Sequence, residues 1–244
     1  MEKKQTSRRS KDRPQDDSLP AESRYKVQEG TRRTALIALL AALFVVGNAI
    51  PLDAFVGGAG FITGGIILLP VMARLLRPKE AVVVAVLASV ALFVFQLSII
   101  PVFGYYGMLV PAIGIVLGSV GFHRSYLYPM SYVVFGALWY LLFSHGTLFW
   151  LLPYFIAIVM TVANQIRPFE PRKRLNVVLH SLDTTICELV TLNIGSISLL
   201  HLPGELWAII TPFMLLERAL AVIGASSILL ALIRVKNIIR VEHI

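Results

Sequence analysis

Eight apolar segments of roughly membrane-spanning length follow one another along this chain, and they constrain its fold more than any other feature. A bilayer core about 30 Å thick is crossed by a helix of about 17–25 mostly apolar residues. The segments are 34–50, 60–76, 81–100, 106–121, 127–143, 148–166, 177–200 and 206–233. Several are short, and the fourth to the sixth could merge, so the count lies between six and eight. The sequence predicts an all-α, polytopic membrane helix bundle.

Composition agrees with a multi-pass membrane protein. Hydrophobic residues make up 57% of the chain and charged residues 15%, with a mean hydropathy of +0.76, whereas a soluble domain averages about 25% charged residues. The net charge of +8 comes from cations that cluster at the ends and in short loops. Nucleic-acid binding needs a continuous basic face, so the expected partner is the lipid bilayer and not a nucleic acid.

Lysine and arginine are segregated between alternate loops. Cytoplasmic loops of membrane proteins carry an excess of these residues. Eight spans place the cationic loops and the C-terminal end on one side, with Arg74, Arg77, Lys79, Arg124, Arg167, Arg172, Lys173, Arg174, Arg234, Lys236 and Arg240. The opposite loops, near Asp53, Phe103, Ser144 and Pro203, contain no lysine or arginine. We therefore expect eight spans in the cell membrane, with both termini in the cytoplasm.

The ends of the chain are polar. Residues 1–33 contain ten Lys or Arg against six Asp or Glu, and such a segment buries too little apolar surface to fold alone. We expect a disordered, basic cytoplasmic tail over 1–33, a transmembrane domain over 34–235 and a short cytoplasmic tail over 236–244. A solvated topology signal is the preferred interpretation of the first tail, with contact to anionic lipid or a cytoplasmic partner as the alternative.

Polar residues inside the membrane concentrate in the last two segments. The seventh and eighth segments together carry His180, Asp183, Thr184, Thr185, Cys187, Glu188, Thr191, Asn193, Glu217 and Arg218. An unpaired charge at the bilayer centre costs at least ~2.5–3.5 kcal/mol. These side chains must therefore face a partner or a polar cavity, and any specific function is to be sought here.

Glu188 and Arg218 are the predicted charge pair of this region. Each lies twelve residues from the outer end of its segment, at 200 and at 206, or ~18 Å deep at ~1.5 Å rise per residue. The two segments are joined by a short turn and should be antiparallel neighbours. Adjacent residues on a helix point about 100° apart, so Glu217 and Arg218 should each find a partner on another span. A ligand role for one of the three remains open.

Catalytic and nucleotide-binding motifs are absent. The chain has no GxxxxGK[ST], HExxH, GxSxG or CxxC, so it should not hydrolyse a nucleotide by itself. His180 and Asp183 resemble half of a metal site, which Glu188 could complete, but catalytic zinc needs three converging ligands. We prefer interhelical hydrogen bonding, and we expect no metal and no cofactor. The single cysteine, Cys187, forms no intramolecular disulfide.

Further polar residues lie toward the outward ends of the segments. They include Asn48, Asp53, Gln96 and Asn193. Together with Glu188 and Glu217, they form the candidate substrate-binding set. Trp150 and Trp207, on the same side, are typical of an interfacial aromatic belt.

Small residues spaced by four mark places where helices approach closely. Gly114 and Gly118 form a GxxxG, and Ala38 and Ala42 form a milder pair on the first segment. Packing within the chain is the preferred interpretation of these stripes, and contact between chains is the alternative.

Three stretches resemble the substrate-binding S components of energy-coupling-factor transporters. "GFITGGIILLPVMARLLRPKEAVVVAVLASV" resembles their second and third helices, and "RRTALIALLAALFVV" is similar to their first. The last span, "TPFMLLERALAVIGASSILLALIR", is similar to the final helix of riboflavin-type members, with Glu217 at the polar position after Pro-Phe. In that family the alanines matching Ala38 and Ala42 face a membrane coupling subunit.

The resemblance implies a non-enzymatic subunit that captures a vitamin-like small molecule from outside. Coupling and ATPase subunits would then supply the energy. Family members usually have six spans, so residues 127–166 would be an additional hairpin. Two alternatives stay open: an intramembrane enzyme that uses His180, Asp183, Glu188 or Glu217, and a non-catalytic assembly subunit.

Overall fold

The fold is all-helical, as the sequence predicts. The computed structural model describes residues 21–50, 63–95, 97, 100–169 and 173–241. The helices are α1 (Ala21–Asn48), α2 (Gly65–Leu75), α3 (Pro78–Val94), α4 (Ile100–Phe103), α5 (Leu109–His123), α6 (Leu127–Phe143), α7 (Leu152–Ile166), α8 (Lys173–Ser198) and α9 (Gly204–Val241). Short 3₁₀ turns, Gly104–Met108 and Leu148–Leu151, lead into α5 and α7.

Five helical stretches of the described residues are long and apolar enough to cross a membrane. They are Gly30–Asn48, Gly104–His123, Leu148–Ile166, Arg174–Ser198 and Gly204–Val235. Two shorter apolar helices, α2 and α6, accompany them. Each of the eight predicted segments overlaps one helix of at least eleven residues. By length and composition these are the helices of a multi-pass membrane protein, and the number that actually cross the bilayer stays a prediction.

The chain divides into two units, Met1–Leu36 and Ile37–Ile244. In the first unit, α1 begins at Ala21, well before the predicted span at residue 34. The segment before Thr34 is rich in Ala, Glu, Lys, Gln and Arg, which are good helix formers. It therefore continues the helix into the predicted tail. Residues 1–20 of that tail lie outside the described residues, and α9 extends through Val241 at the other end of the chain.

Helix α8 is the central helix of the second unit. In its apolar window, 78% of the residues are buried, against 17–44% in the other four candidate spans. It packs against α2, α5, α6, α7 and α9. The polar residues that the sequence concentrates in this segment therefore lie among helices and not against lipid.

Glycines on the neighbouring helices allow α8 to approach closely. A Cβ added at Gly114 of α5 would lie 3.0 Å from the Glu188 Cβ, and one added at Gly118 would overlap the Thr184 side chain. On α6, Gly136 lies in the same way against Val190. The interpretation of the Gly114–Gly118 stripe as packing within the chain is confirmed.

The tryptophans expected in an interfacial belt are buried instead. Trp150 and Trp207 are almost inaccessible to solvent, and their ring centroids lie 4.7 Å apart in an edge-to-face arrangement. Tyr140 packs edge-to-face on Trp207 at 5.3 Å. Composition alone does not distinguish an aromatic cluster between helix ends from residues at the membrane surface, because both positions follow the end of an apolar segment.

Candidate functional site

A cavity of about 330 Å³ lies between the central helix α8 and helices α1, α2, α3, α5 and α9. Its walls are mainly apolar, with side chains such as Phe44, Leu69, Leu192 and Ile210. Ligand pockets in proteins typically measure about 300–1,000 Å³ and combine apolar walls with a few polar groups. The size and the lining of this cavity both fit that description.

The cavity extends from the loop end of α8 and α9 toward the middle of both helices. Leu200 and Leu206, which flank the α8–α9 turn, line one part of it, and Glu188 and Arg218 line another. At ~1.5 Å rise per residue, Glu188 lies ~15 Å from the last residue of α8, and Arg218 lies ~21 Å from the first residue of α9. The charged residues thus form the deep end of the cavity.

Arg218 joins the two helices at this deep end. Its Nη1 donates hydrogen bonds to the Glu188 carboxylate and to the Thr185 carbonyl oxygen, the latter at 2.8 Å. The ion pair expected between Glu188 and Arg218 is therefore present. Arg218 is 3% exposed. A single buried cation is thus held by a carboxylate and a main-chain oxygen of the neighbouring helix.

Glu217 also contacts Arg218, its neighbour in the sequence, and a partner for Glu217 on another span stays a prediction. Its Oε1 lies 3.2 Å from Arg218 Nη2. The two Cα–Cβ bonds diverge by about 100°, but the long arginine side chain and the fork of its guanidinium let one cation reach both carboxylates. Glu188 and Glu217 are each 14% exposed, and both line the cavity.

One nitrogen of the Arg218 guanidinium has no hydrogen bond to another described residue. The Nε of Arg218 is buried and has no hydrogen-bond partner within the described part of the chain. Buried donors are nearly always paired. This buried nitrogen belongs to a residue of the cavity lining.

Asn48 lies in the cavity wall, as the sequence predicts for a site residue. Its Nδ2 donates to the Phe44 carbonyl oxygen at 2.8 Å, and its Oδ1 accepts from the Thr63 hydroxyl at 2.8 Å. The structure thus brings Asn48 into one lining with Glu188 and Glu217. The other two outward candidates, Asp53 and Gln96, lie outside the described residues.

Asn193 contacts α7 and does not lie with the other candidates, and its assignment to the substrate-binding set stays a prediction. Its side-chain amide donates to the Tyr154 hydroxyl of α7, and it is not part of the cavity lining. Five residues separate it from Glu188, so the two side chains point about 140° apart around α8. Glu188 and Asn193 of α8 therefore contact different helices, α9 and α7.

His180 and Asp183 do not form a shared site. The His180 Nε2 lies 2.8 Å from the Pro70 carbonyl oxygen of α2. The Asp183 Oδ2 accepts from the Thr161 hydroxyl of α7 at 3.1 Å. Within the part of the chain that the structure describes, no three His, Cys, Asp or Glu side chains are grouped as metal ligands. Both residues form the interhelical hydrogen bonds that the sequence analysis prefers.

The hydroxyl groups of the α8 threonines form hydrogen bonds within their own helix. The hydroxyls of Thr184, Thr185 and Thr191 each donate to the carbonyl oxygen four residues earlier, at 2.8–3.0 Å. Such back-bonding is the usual solution for a threonine inside a helix. These residues raised the polarity of the segment without contributing to the cavity.

The sequence analysis did not identify several residues that line the cavity. Phe44, Thr63, Phe103 and Ser196 belong to its wall. In the sequence they look like ordinary residues of apolar helices or helix ends, because a cavity wall and a packed interface have the same composition. The polar residues Thr63 and Ser196 lie on the side that the sequence predicts to be outward, and this is the signal that could have included them.

The predicted docking residues lie apart from the cavity. Ala38 and Ala42 are exposed on α1, and they do not line the cavity. Leu39, Leu43 and Val46 beside them are exposed as well. Nothing within the described second unit covers this stripe, which leaves the docking role a prediction.

The fold and the site together define a class: a helical, multi-pass membrane protein with a largely apolar internal cavity that ends in a buried charge cluster. No protein family, no curated protein and no solved structure matches the chain. Function must therefore be argued from the cavity itself.

Proposed function

We propose that this chain is the substrate-binding subunit of an energy-coupling-factor type transporter, located in the cell membrane with both termini in the cytoplasm. It captures a vitamin-like small molecule from outside, and partner subunits supply the energy. The observation that carries the proposal is the cavity of about 330 Å³, whose deep end is built by Glu188, Glu217 and Arg218.

The placement of the charges favours binding over a purely structural role. Charged residues inside a membrane are costly and commonly mark the pathway of a substrate. A charge pair that only holds two helices together is most stable when every polar group in the contact has a hydrogen-bond partner. Here both carboxylates keep contact with the cavity, and Arg218 Nε lacks an acceptor in the described chain. A bound solute would complete this arrangement.

The proposed energy source lies outside the chain. The 244-residue sequence has no phosphate-binding loop, and in this proposal ATPase subunits supply the energy. The exposed Ala38–Ala42 stripe offers a surface on which a coupling subunit can approach the α1 backbone closely. In this proposal the chain itself catalyses no reaction. The divergence of His180 and Asp183 to different helices supports this part of the proposal.

Affinity purification of the tagged chain from its native membrane tests the proposal. The wild-type chain should co-purify with one other membrane subunit and with ATPases that contain phosphate-binding loops. Replacing Ala38 and Ala42 together by leucine should abolish this co-purification. The matched control, Ala219→Leu, changes an exposed alanine of α9 and should leave it intact. Recovery of the chain without ATPases, or full recovery with the double variant, would contradict the proposed assembly.

An assembly subunit is the second candidate function. The hydrogen bonds from Arg218 to Glu188 and to the Thr185 carbonyl oxygen fix α9 against α8, as a helix lock requires. If this were their whole role, filling the cavity would leave the function of the assembled complex unchanged. If the chain binds a solute, filling the cavity should abolish function while the complex still forms.

A further inference from the structure

We propose that a second, polar pocket of the protein binds an anionic phosphate group, carried either by a phospholipid head group or by free phosphate. The pocket has a volume of about 360 Å³ and shares no lining residue with the cavity that contains Glu188. The inference therefore does not depend on the proposed function. Six polar side chains belong to the lining: Arg124, Ser125, Tyr126, Asn164, Gln165 and Asn176.

The polar pocket lies at the opposite end of α8 from the α8–α9 turn. It is formed by the turn between α5 and α6, the end of α7 and the start of α8. Asn176 lies twelve residues before Glu188 on α8, or ~18 Å along the helix axis. The sequence predicts this end of the helices to be cytoplasmic. Basic pockets between transmembrane helices on that side of a membrane bind anionic head groups.

The charge of the polar pocket favours an anion. Among the described residues that line it, Arg124 carries a positive charge and none is an aspartate or a glutamate. Within the described part of the chain, Arg124 forms no ion pair. The adjoining segment 167–174 contains four Arg or Lys against one Glu. A guanidinium can donate two parallel hydrogen bonds to a phosphate group.

A second cation, Arg74 of α2, lies beside the polar pocket. Its guanidinium carbon is 4.3 Å from the centroid of the Phe122 ring, and Phe122 belongs to the lining. Burial raises the pKa of the Tyr126 hydroxyl, and the positive charge of Arg74 opposes this rise. Asp183 also acts on Tyr126, but it accepts a hydrogen bond from Thr161 and does not line the pocket.

Arg74 has no counter-ion among the described residues. Its Nη1 is buried and finds no hydrogen-bond partner there, and no described carboxylate forms an ion pair with it. Since a buried charge without a partner is costly, an anion bound in the polar pocket would offset part of this cost.

Two asparagine side chains offer hydrogen-bond donors to the pocket. The Asn164 Oδ1 accepts from the Phe169 backbone N–H at 2.7 Å, and the Asn176 Oδ1 accepts from the Tyr126 hydroxyl at 3.0 Å. Because a backbone N–H can only donate, the Phe169 contact fixes which branch of the Asn164 amide is the oxygen. Neither Nδ2 is bonded to another described residue. The amide nitrogens therefore remain available to phosphate oxygens.

Phosphatidylglycerol, phosphatidylcholine and inorganic phosphate are the three probes. The two lipids carry the same acyl chains, and the choline of the second neutralises its phosphate. Native mass spectrometry of the delipidated full-length chain gives the dissociation constant of the first bound lipid. Calorimetry in a phosphate-free buffer gives that of inorganic phosphate. If a lipid carries the phosphate, phosphatidylglycerol should bind roughly tenfold or more tightly than phosphatidylcholine. If the phosphate is free, inorganic phosphate itself should bind.

Three variants that each lower the net charge by one locate the site. Arg124→Gln changes an exposed residue and so should fold. Asn164→Asp keeps the acceptor for the Phe169 N–H but replaces the donor by a carboxylate oxygen. Each should weaken binding of the charged probe roughly tenfold or more. Arg234→Gln changes an exposed arginine of α9 outside the lining and should bind as the wild type does. A thermal unfolding curve verifies that each variant is folded.

Losses in Arg124→Gln and Asn164→Asp, without a loss in Arg234→Gln, support the site, and the probe that shows them identifies the carrier of the phosphate. Equal losses in all three variants would mean that only the net charge attracts the probe, which overturns the inference. The inference is also overturned if phosphatidylglycerol binds no more tightly than phosphatidylcholine and inorganic phosphate does not bind.

Discussion

Replacing Arg218 by methionine should be the most damaging single substitution at the deep end of the cavity. The change removes the ion pair to Glu188, the contact to Glu217 and the hydrogen bond to the Thr185 carbonyl oxygen. Methionine fills a similar length without a charge. Two carboxylates are left without their common cation in a buried site.

The loss in stability of each variant depends on which buried charges and hydrogen-bonding groups lose their partner. Breaking a buried pair on one side typically costs about 3–5 kcal/mol, and Arg218→Met should fall in this range. Glu188→Gln should cost only about 1–3 kcal/mol, because the guanidinium keeps Glu217 and the Thr185 oxygen as acceptors. The double variant should lose less than the sum of the two single losses, by about 0.5–3 kcal/mol.

Thermal unfolding in detergent, followed by the intrinsic fluorescence of the buried Trp150 and Trp207, measures these losses. Arg234→Met is the matched control, because Arg234 is an exposed arginine of the same helix. It should change stability by less than about 0.5 kcal/mol. Strictly additive losses in the double variant, or an Arg218→Met variant as stable as Arg234→Met, would refute the reasoning.

Three further predictions concern topology, packing and the role of Asn193. In a Cys187→Ser background, a cysteine at Pro203 should react with a membrane-impermeant reagent added from outside, whereas one at Ser10 should not. Gly118→Ala should destabilise the protein by about 1–3 kcal/mol, because the new Cβ would overlap the Thr184 side chain of α8. Asn193→Ala should lower stability by about 1–3 kcal/mol, because it leaves the buried Tyr154 hydroxyl unpaired, without changing solute affinity.

Each of these predictions has its own contrary outcome. Strong external labelling at Ser10 would invert the topology. Gly30→Ala is the control for the packing variant, since a Cβ there would have no atom within 4 Å. Equal stability of the Gly30 and Gly118 variants would mean that α5 can shift away from α8 without cost. A large loss of solute affinity in Asn193→Ala would show that Asn193 belongs to the binding site.

The periodicity and length of the apolar segments were enough to predict where the helices lie. Counting residues from the turn between the last two helices was enough to predict the ion pair between Glu188 and Arg218. Helix α6 has the same bounds as its predicted segment, 127–143. The pairing of Glu188 with Arg218 could be anticipated because a short turn joins two antiparallel helices, so equal distances from that turn give equal depths.

The cavity could not be anticipated, because it depends on the space that several helices leave between them. Phe44 and Leu69 line it, and such apolar side chains also fill packed protein cores. The absence of Asn193 from the lining agrees with helical geometry, which separates it from Glu188 by about 140°. The local contact between Glu217 and Arg218 was not the preferred prediction, because the angle between adjacent Cα–Cβ bonds ignores the length of an arginine side chain.

Native mass spectrometry of the intact, purified chain tests the central claim most directly. The wild-type protein should carry one small molecule as a defined mass adduct. Ser196→Phe, which places a ring in the cavity wall, should lack that adduct. Ser131→Phe, at an exposed position of α6, should retain it. A wild-type chain without any adduct after purification from its native membrane, or an equal adduct on both variants, would contradict binding in this cavity.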